Sequence, residues 1–371
     1  MILYLFLIAI TSLFVVLSYV RTNTINNANQ VAMGNYPNKL NGISSFLLVV
    51  LFTSVAGLRY FVGTDFRMYV ESFLQIDTHS FLSNFELLRF EPGFMWLLWI
   101  SRLLSPHPIT FFLVSSFLVI FGTMIAYRAS TDSPPLAILY WLLFGLFFFS
   151  LNGTRQAIAA PITILAWHCL QKDFKYRFIA LIGFAALFHV SAVLAGIAFV
   201  FFHYVTWNWK RITLLFFSIL AFGQLVFFSD IIVNFIVFLD PRFQYYFRPD
   251  FGAGANASWF GVLSRLTTVS IVFLFARKIK LPQSIFEAIA LLVTGAGFWH
   301  LSSFAPWFFR IDAYFEYLIP IAILQTASLL DETKRKQLII LTLAYGTFHY
   351  FAMLRLGWHE VIPYRIWPEI I

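Results

Sequence analysis

About twelve apolar segments, joined mostly by short connections, most strongly limit how this chain can fold. They are 2–20, 42–62, 91–104, 109–127, 134–150, 156–170, 178–202, 212–229, 259–276, 285–304, 312–330 and 338–353. A bilayer core about 30 Å thick takes about 20 apolar residues per helix. Backbone groups in lipid must be hydrogen-bonded within the protein, and a helix achieves this alone. The sequence predicts an all-α, polytopic integral membrane helix bundle of about eleven to thirteen transmembrane segments.

The composition excludes a soluble fold. Of the 371 residues, 60% are hydrophobic and 11% charged, against about 45–50% and about 25% in soluble domains. The net charge of +8 is spread in short clusters between apolar segments, as in cytoplasmic loops of membrane proteins. We therefore expect the lipid bilayer as a partner and no nucleic acid. The single cysteine, Cys169, permits no disulfide within the chain, and no metal-ligand spacing occurs, so no metal site is expected.

A single transmembrane domain over 1–371 is expected, because no long polar insertion is present. The first apolar segment lacks a basic n-region and a small-residue cleavage site, so we interpret it as a retained span. Basic clusters mark the cytoplasmic side: Arg21 with Lys39, Lys172 with Lys175 and Arg177, Lys210 with Arg211, Arg277 with Lys278 and Lys280, and Lys334 with Arg335 and Lys336. This orientation makes 63–90 and 230–258 outer loops.

The orientation carries a parity conflict. Four apolar segments separate the outer loop 63–90 from the inner cluster at 171–177, where an odd number is required. At least one segment therefore fails to cross as a simple helix. The candidates are 91–104, which is short, and 178–202, which would form two half-helices if broken at His189. Non-helical backbone at membrane depth is tolerated where it lines a protein cavity, and both candidates adjoin polar motifs.

The most polar of these motifs follows the second apolar segment and reads Arg59-Tyr-Phe-Val-Gly-Thr-Asp-Phe-Arg-Met-Tyr69. We expect a helix over Phe66 to Leu74, with Asp65 as its N-cap. Tyr69 then lies one turn along the same face. For Asp65 the capping role is favoured over catalysis.

Three further polar segments follow: Glu91-Pro-Gly-Phe94, Asn152-Gly-Thr-Arg-Gln-Ala-Ile-Ala159 and Ala186-Leu-Phe-His-Val-Ser191. Together with the first motif, in this order, they resemble the EpsG-like, Wzy-type bacterial polysaccharide polymerases. The first motif is similar to that family's R-Y-x-V-G-T-D-[YF]-x-x-Y pattern, and Phe66 stands where the family often has tyrosine. The motifs cover about half the chain, and the remainder agrees in hydropathy only.

The resemblance implies a multi-pass glycosyltransferase of the bacterial cytoplasmic (inner) membrane, which acts in O-antigen, capsule or exopolysaccharide synthesis. Its substrate would be an undecaprenyl-diphosphate-linked oligosaccharide, and it would need no cofactor. The growing glycan would pass from one lipid diphosphate to the sugar of another lipid-linked repeat. A chain-length regulator and a flippase of the same pathway are the implied protein partners.

The cost of burying charge in a membrane marks Arg155 as a candidate site residue, and the reaction that the resemblance implies supplies the roles of the others. Arg155, beside Gln156, is expected to bind diphosphate, because a guanidinium presents paired donors to phosphate oxygens. We assign the remaining candidates as follows: Glu91 or Asp65 as the general base, His189 as support for the leaving group, and Arg59, Tyr69, Arg265, Arg310 and Tyr314 as substrate-binding residues. The alternatives are a first-turn position favoured by the helix dipole for Glu91, packing for His189, and interface anchoring for Arg310 with Tyr314.

The sequence is also compatible with two other functions. A transporter (flippase) of lipid-linked oligosaccharide would also carry basic residues in a cavity, although it is expected to show related halves. A membrane acyltransferase that modifies a surface glycan would use a histidine such as His189.

Overall fold

The computed structural model describes residues 1–28, 42–227, 259–302 and 308–368. The predicted outer loop at 230–258 lies outside this part of the chain. Within it the regular structure is helical, apart from one isolated bridge between Arg59 and Ile366. The chain divides into two compact units: the first is Met1–Val193 with Leu343–Ile371, and the second is Leu194–Thr342.

The first unit contains the four polar motifs. Its helices are α1 (Ile2–Ala28), α2 (Gly42–Gly57), α3 (Phe66–Leu74), α4 (Phe81–Leu88), α5 (Pro92–Leu104), α6 (Ile109–Ser130), α7 (Pro134–Leu143), α8 (Leu146–Ser150), α9 (Thr154–Gln171) and α10 (Lys175–Ala186). A 3-10 turn at Trp358–Glu360 follows in the C-terminal segment. The expected helix over Phe66 to Leu74 is confirmed by α3.

The second unit is built from the remaining helices. These are α11 (Ala192–His203), α12 (Trp209–Phe227), α13 (Trp259–Ala276), α14 (Gln283–Leu301), α15 (Phe308–Glu316), α16 (Ile319–Ser328) and α17 (Glu332–Arg355). Helix α11 begins in the first unit, and α17 leads the chain back to it.

The predicted fold class is confirmed: the chain is an all-α integral membrane protein. By length and apolar composition alone, α6, α14 and α17 can each cross a bilayer. Several other apolar helices of the described part are 10–17 residues long. The number of crossings stays a prediction.

The expected interruption of 178–202 is confirmed, whereas 91–104 contains one continuous helix, α5. Helix α10 ends at Ala186 and α11 begins at Ala192. The intervening residues form local turns: the His189 amide donates to the Ala185 carbonyl, and the Ala192 amide donates to the His189 carbonyl. His189 therefore lies in a short non-helical break between two half-helices.

Two further breaks interrupt apolar segments that the sequence analysis treated as continuous. Helices α7 and α8 are separated at Gly145, whose φ of +81° suits glycine. Helices α15 and α16 are separated at Tyr317 and Leu318. Pro320 follows this second break and has no N–H to donate to the carbonyl of Glu316. Both breaks lie among apolar neighbours, which is why hydropathy did not reveal them.

The C-terminal end of α2 packs closely on α6 and fixes where the first motif begins. A Cβ at Gly57 would lie 2.8 Å from the Leu113 Cα, so only glycine allows this approach. Nine residues after Gly57, the Phe66 ring stacks on Phe112, with centroids 4.7 Å apart. Tyr69 contacts the rings of Phe94 and Phe111. The first motif is thereby held on α5 and α6.

Candidate active site

Three of the polar motifs meet at Glu91. Its Oε2 accepts a hydrogen bond from Arg155 Nη1 at 2.7 Å, and its Oε1 lies 2.9 Å from His189 Nδ1. The Val190 amide also donates to Oε1, at 3.3 Å. Both carboxylate oxygens are therefore engaged, by groups that lie 64 and 98 residues away in the sequence.

Glu91 reaches this position because Pro92 begins α5. A proline at the first helical position is favourable, and it restricts the preceding residue to extended backbone. Glu91 accordingly has φ −63° and ψ 147°, and its side chain makes no capping hydrogen bond. Glu91 thus stands at the helix start that the dipole favours, and its side chain is directed to other partners.

Gly93 brings the start of α5 against the break that carries His189. The Gly93 amide donates to the Leu187 carbonyl at 2.7 Å, and a Cβ at Gly93 would lie 2.8 Å from that same oxygen. This close approach sets the separation between Glu91 and His189. Gly93 is therefore a positioning residue. It belongs to the Glu91–Phe94 motif, but no role was predicted for it.

Replacing Gly93 with alanine is expected to lower the free energy of unfolding by about 1–3 kcal/mol, because the added methyl overpacks the contact with Leu187. Thermal unfolding of the purified protein measures this. Gly183→Ala is the matched control: it lies in α10 with no atom within 4 Å of the added Cβ, and we expect no loss there. An equal loss in both variants would contradict the steric explanation.

Arg155 lies at the second position of α9 and is partly open to the surroundings. Its side chain is 21% exposed, and its guanidinium lies over the Phe90 ring, 4.9 Å from the centroid. It also interacts with the Tyr69 hydroxyl. Two candidate substrate-binding residues, Arg155 and Tyr69, therefore share one site with two candidate catalytic residues.

The electrostatics of the site favour an ionised Glu91. Burial opposes ionisation, but the hydrogen bond from His189 and the charge of Arg155 outweigh it and hold the pKa of this carboxyl well below its usual range. A carboxylate facing Nδ1 favours the imidazole tautomer with a proton on Nδ1, which leaves Nε2 as the basic nitrogen. The geometry thus orients His189 through Glu91.

Arg59, a predicted substrate-binding residue, is enclosed by the protein. Its side chain is 1% exposed. The guanidinium donates to the carbonyls of Ala56 and Leu151, the latter at 3.2 Å, and lies over the Phe112 ring at 4.6 Å. In this conformation Arg59 ties the first motif to the α8–α9 connection. Substrate contact by Arg59 stays a prediction.

Asn152 joins three segments around the site. Its Oδ1 accepts hydrogen bonds from the Thr64 amide at 2.5 Å and the Thr64 hydroxyl at 3.0 Å. Its Nδ2 donates to the carbonyls of Phe148 and His359. Asn152 stands three residues before Arg155, so this network positions the start of α9. Asn152 belongs to one of the polar motifs, although no role was predicted for it.

Gly63 makes the hydrogen bonds of Asn152 possible. Its φ of +97° lies in the left-handed region, and a Cβ there would lie 2.6 Å from the Leu151 carbonyl oxygen and 2.8 Å from Asn152 Oδ1. Alanine at this position meets both backbone strain and a collision.

We expect Gly63→Ala to lower the free energy of unfolding by about 2–4 kcal/mol, the sum of backbone strain and overpacking. Thermal unfolding of the purified protein is again the measurement. Gly357→Ala separates the two contributions, because Gly357 has a φ of +68° and open space around its Cβ. A Gly63→Ala loss no larger than that of Gly357→Ala would show that the collision contributes nothing.

The C-terminal segment after α17 lies across the first motif. The Tyr60 amide donates to the Arg365 carbonyl, and the Trp367 amide donates to the Leu58 carbonyl. The Gly63 amide donates to the Glu360 carbonyl at 3.2 Å. Residues near the end of the chain thus hold the loop that the first motif forms, an arrangement with no signal in hydropathy.

Asp65 follows Thr64, which is hydrogen-bonded to Asn152, and Gln156 follows Arg155 in α9. Asp65 occupies the N-cap position of α3, but its side chain makes no capping hydrogen bond, so the expected capping role is wrong. Its Oδ1 accepts instead from the Thr64 hydroxyl at 3.3 Å, because Asp65 has αR backbone and not the extended backbone usual at an N-cap. Gln156 is 2% exposed and lies in the packed interior.

Arg265 lies in the second unit, where it is enclosed by carboxylates. Its Nε donates to Asp312 Oδ2 at 2.6 Å, and its Nη2 contacts both Asp312 and Glu316. The guanidinium also lies over the Trp299 ring, 4.2 Å from the centroid. The role of Arg265 as a diphosphate contact stays a prediction, and it would require phosphate to replace one of these carboxylates.

Arg310 and Tyr314 are one turn apart on α15, as predicted from their spacing. Tyr314 is fully buried and Arg310 is half-buried. Their role in substrate binding stays a prediction. Asp312 and Glu316, on the same short helix, were not singled out, although ionisable residues in an apolar segment are themselves a signal.

The part of the chain that the structure describes contains no group of three or more metal-ligating side chains that could hold a metal ion. A family model described as the EpsG family matches residues 42–366. No curated protein and no solved structure matches the chain. The matched range contains the whole of the site around Glu91.

Proposed function

Because the chain belongs to the EpsG family, we propose that this membrane protein of polysaccharide biosynthesis polymerises lipid-linked oligosaccharide repeats. The donor is a growing glycan on undecaprenyl diphosphate, and the acceptor is the sugar of a second lipid-linked repeat. The reaction takes place at the outer face of the bacterial cytoplasmic membrane. The observation that carries the proposal is the convergence of Glu91, Arg155, His189 and Tyr69, drawn from four separate motifs.

The chemistry is a displacement at the anomeric carbon. An acceptor hydroxyl forms the new glycosidic bond while the bond from the anomeric carbon to the lipid diphosphate breaks. The hydroxyl proton passes to a general base, and the lipid diphosphate leaves with the bonding electrons. Negative charge grows on the diphosphate as this bond breaks, so a fixed cation beside it stabilises the transition state.

Arg155 is the residue that best fits the diphosphate. Its contact with Glu91 uses Nη1, and its side chain is 21% exposed, which leaves guanidinium N–H groups for phosphate oxygens. Arginine binds phosphate with paired, directional donors. The aromatic face of Phe90 holds the guanidinium from one side, so the cation is positioned before the substrate arrives.

His189 is the residue that best fits the general base, which revises the roles expected from the sequence. A carboxyl whose pKa is held low, as that of Glu91 is, is a weak proton acceptor near neutral pH. The same carboxylate holds His189 Nδ1 at 2.9 Å and stabilises the imidazolium that forms when Nε2 takes the proton. In this mechanism Glu91 orients the base. Asp65 stays the alternative candidate for the general base.

A deletion strain tests the function directly. We expect loss of the gene to replace the surface-glycan ladder on a gel with a core that bears a single repeat. Complementation with the wild-type gene should restore the ladder. A chain-length regulator and a flippase of the same pathway are the proposed protein partners, since they act on the same lipid-linked repeats.

Two other outcomes point elsewhere. If surface glycan disappears together with the single-repeat form, transport of the lipid-linked unit is the function. If the ladder keeps its length but loses ester groups, the protein is an acyltransferase. A ladder that survives the deletion unchanged would remove the polymerase proposal.

A further inference from the structure

The second unit contains a buried triad whose formal charges do not balance. The triad consists of Arg265 on α13 with Asp312 and Glu316 on α15. Arg265 and Asp312 are 3% and 2% exposed, and Glu316 is 15% exposed. Two carboxylates and one guanidinium sum to −1 if all three are ionised. An unbalanced charge in an apolar interior is strongly unfavourable.

The two carboxylates approach the same nitrogen of Arg265. Oxygens of both Asp312 and Glu316 contact Nη2 of Arg265, whereas Nε donates to Asp312 alone. The Nη1 atom donates to the Gly261 carbonyl at 2.9 Å. Carboxylates that share one site resist simultaneous ionisation, and one of them takes up a proton.

Helix geometry selects Glu316 as the protonated member. It is the last residue of α15, where the partial negative charge of the helix C-terminus disfavours an ionised carboxylate. Asp312 lies one turn earlier and makes the better contacts with Arg265, through both Nε and Nη2. Glu316 is also the more exposed of the two carboxyls.

The surrounding residues are shaped to this triad. A Cβ at Gly295 on α14 would collide with the Asp312 carboxylate. Trp299, one turn further along α14, provides the aromatic face under Arg265. Gly295 and Trp299 therefore form the surface of α14 on which the triad packs.

We propose that Arg265, Asp312 and Glu316 form a proton-binding site, in which Glu316 carries one proton in the described conformation. The bond formed on binding is O–H at a Glu316 carboxyl oxygen, and the proton returns to water on release. Release of the proton leaves Glu316 ionised beside the break between α15 and α16. The two carboxylates of the triad then repel each other.

The helices of this unit carry other titratable groups that could compete for the proton. On α12 to α16 they are Lys210, Arg211, Glu287, His300, Arg310 and Tyr314. Of these, Glu287 is the carboxyl, and it lies 3.3 Å from His203 Nδ1. It therefore has a partner of its own, and it provides the control below.

Infrared spectroscopy of the purified full-length protein in lipid nanodiscs tests the proposal. Near neutral pH, we expect the wild type to show the C=O stretch of a protonated carboxylic acid, and Glu316→Gln to lose it. Asp312→Asn should lose it too, because Glu316 then ionises against Arg265. Glu287→Gln should keep it. A band that is absent from the wild type, or that persists in both triad variants, overturns the proposal.

Thermal unfolding keeps the test decisive if a variant is unstable. Glutamine mimics a protonated glutamate, so Glu316→Gln should change Tm by less than about 2 °C, whereas Arg265→Gln should lower it by about 6 °C or more. A Glu316→Gln variant that fails to fold would show that the ionised carboxylate is required. Stabilisation of the wild type by sodium ions, without the infrared band, would assign the site to a cation.

Discussion

Arg155→Ala is expected to convert the surface-glycan ladder into a single-repeat product, with polymerisation slowed by about 100- to 1,000-fold. That factor is typical of removing one preorganised donor from a developing negative charge. The protein itself should still reach the membrane in normal amount, because Arg155 is 21% exposed and the Glu91 carboxylate keeps His189 and the Val190 amide as partners. The measurement combines the glycan gel with immunoblotting of the membrane fraction.

Two control variants define what the Arg155 result means. Arg155→Lys keeps the charge but not the paired donors, so we expect an intermediate rate. Arg177→Ala removes an exposed arginine of α10, which lies over the Phe174 ring, and should leave the ladder unchanged. Normal chain lengths in Arg155→Ala would remove the central contact of the proposed mechanism. A shortened ladder in both alanine variants would indicate a general effect of charge.

His189→Ala is expected to slow glycosyl transfer by about 100- to 10,000-fold, the usual contribution of a positioned general base. The substrate for this assay is the lipid-linked repeat that accumulates in the deletion strain, presented to purified protein in nanodiscs. His189→Gln keeps hydrogen-bonding capacity without a basic nitrogen, so it should be equally slow. A His189→Gln variant of near wild-type rate would assign His189 to packing.

The pH profile separates orientation by Glu91 from catalysis by Glu91. The pKa of Glu91 is held well below its usual range, so this carboxylate stays ionised as pH falls through the range where imidazoles titrate. The acid limb of the wild-type profile should therefore report the histidine. In Glu91→Gln the carboxylate no longer stabilises the imidazolium, so the limb should move to lower pH. Loss of the limb in Glu91→Gln would instead make Glu91 the base.

Much of the fold could be predicted from the chain alone, because lipid imposes a simple rule on each segment. Apolar length and the placement of lysine and arginine predicted an all-α membrane bundle. The parity of the charged loops predicted that 91–104 or 178–202 fails to cross as a simple helix, and the structure interrupts the second of these at residues 187–191. The breaks at Gly145 and before Pro320 escaped prediction, since glycine and proline are common in membrane helices that continue.

The candidate site was predicted in its members and not in its geometry. Arg155 and His189 were singled out because polar side chains in apolar surroundings need partners, and Glu91 and Tyr69 because their segments resemble family motifs. Hydropathy cannot tell which partner each one finds, since lipid is as apolar as the helix surfaces that pack together. The pairing of Glu91 with residues 64 and 98 positions away depends on tertiary contacts.

The sequence by itself determined the class of fold, the family resemblance and the segments that carry polar chemistry, because each of these is set by local composition. Tertiary structure alone decided which side chains meet. It buried Arg59 against the carbonyl of Leu151, and it placed the Glu91 carboxylate between a guanidinium and an imidazole. It also enclosed Arg265 between two carboxylates of α15. The physical reason is that the energy of a buried charge depends on its neighbours in space, and a linear pattern of residues does not specify them.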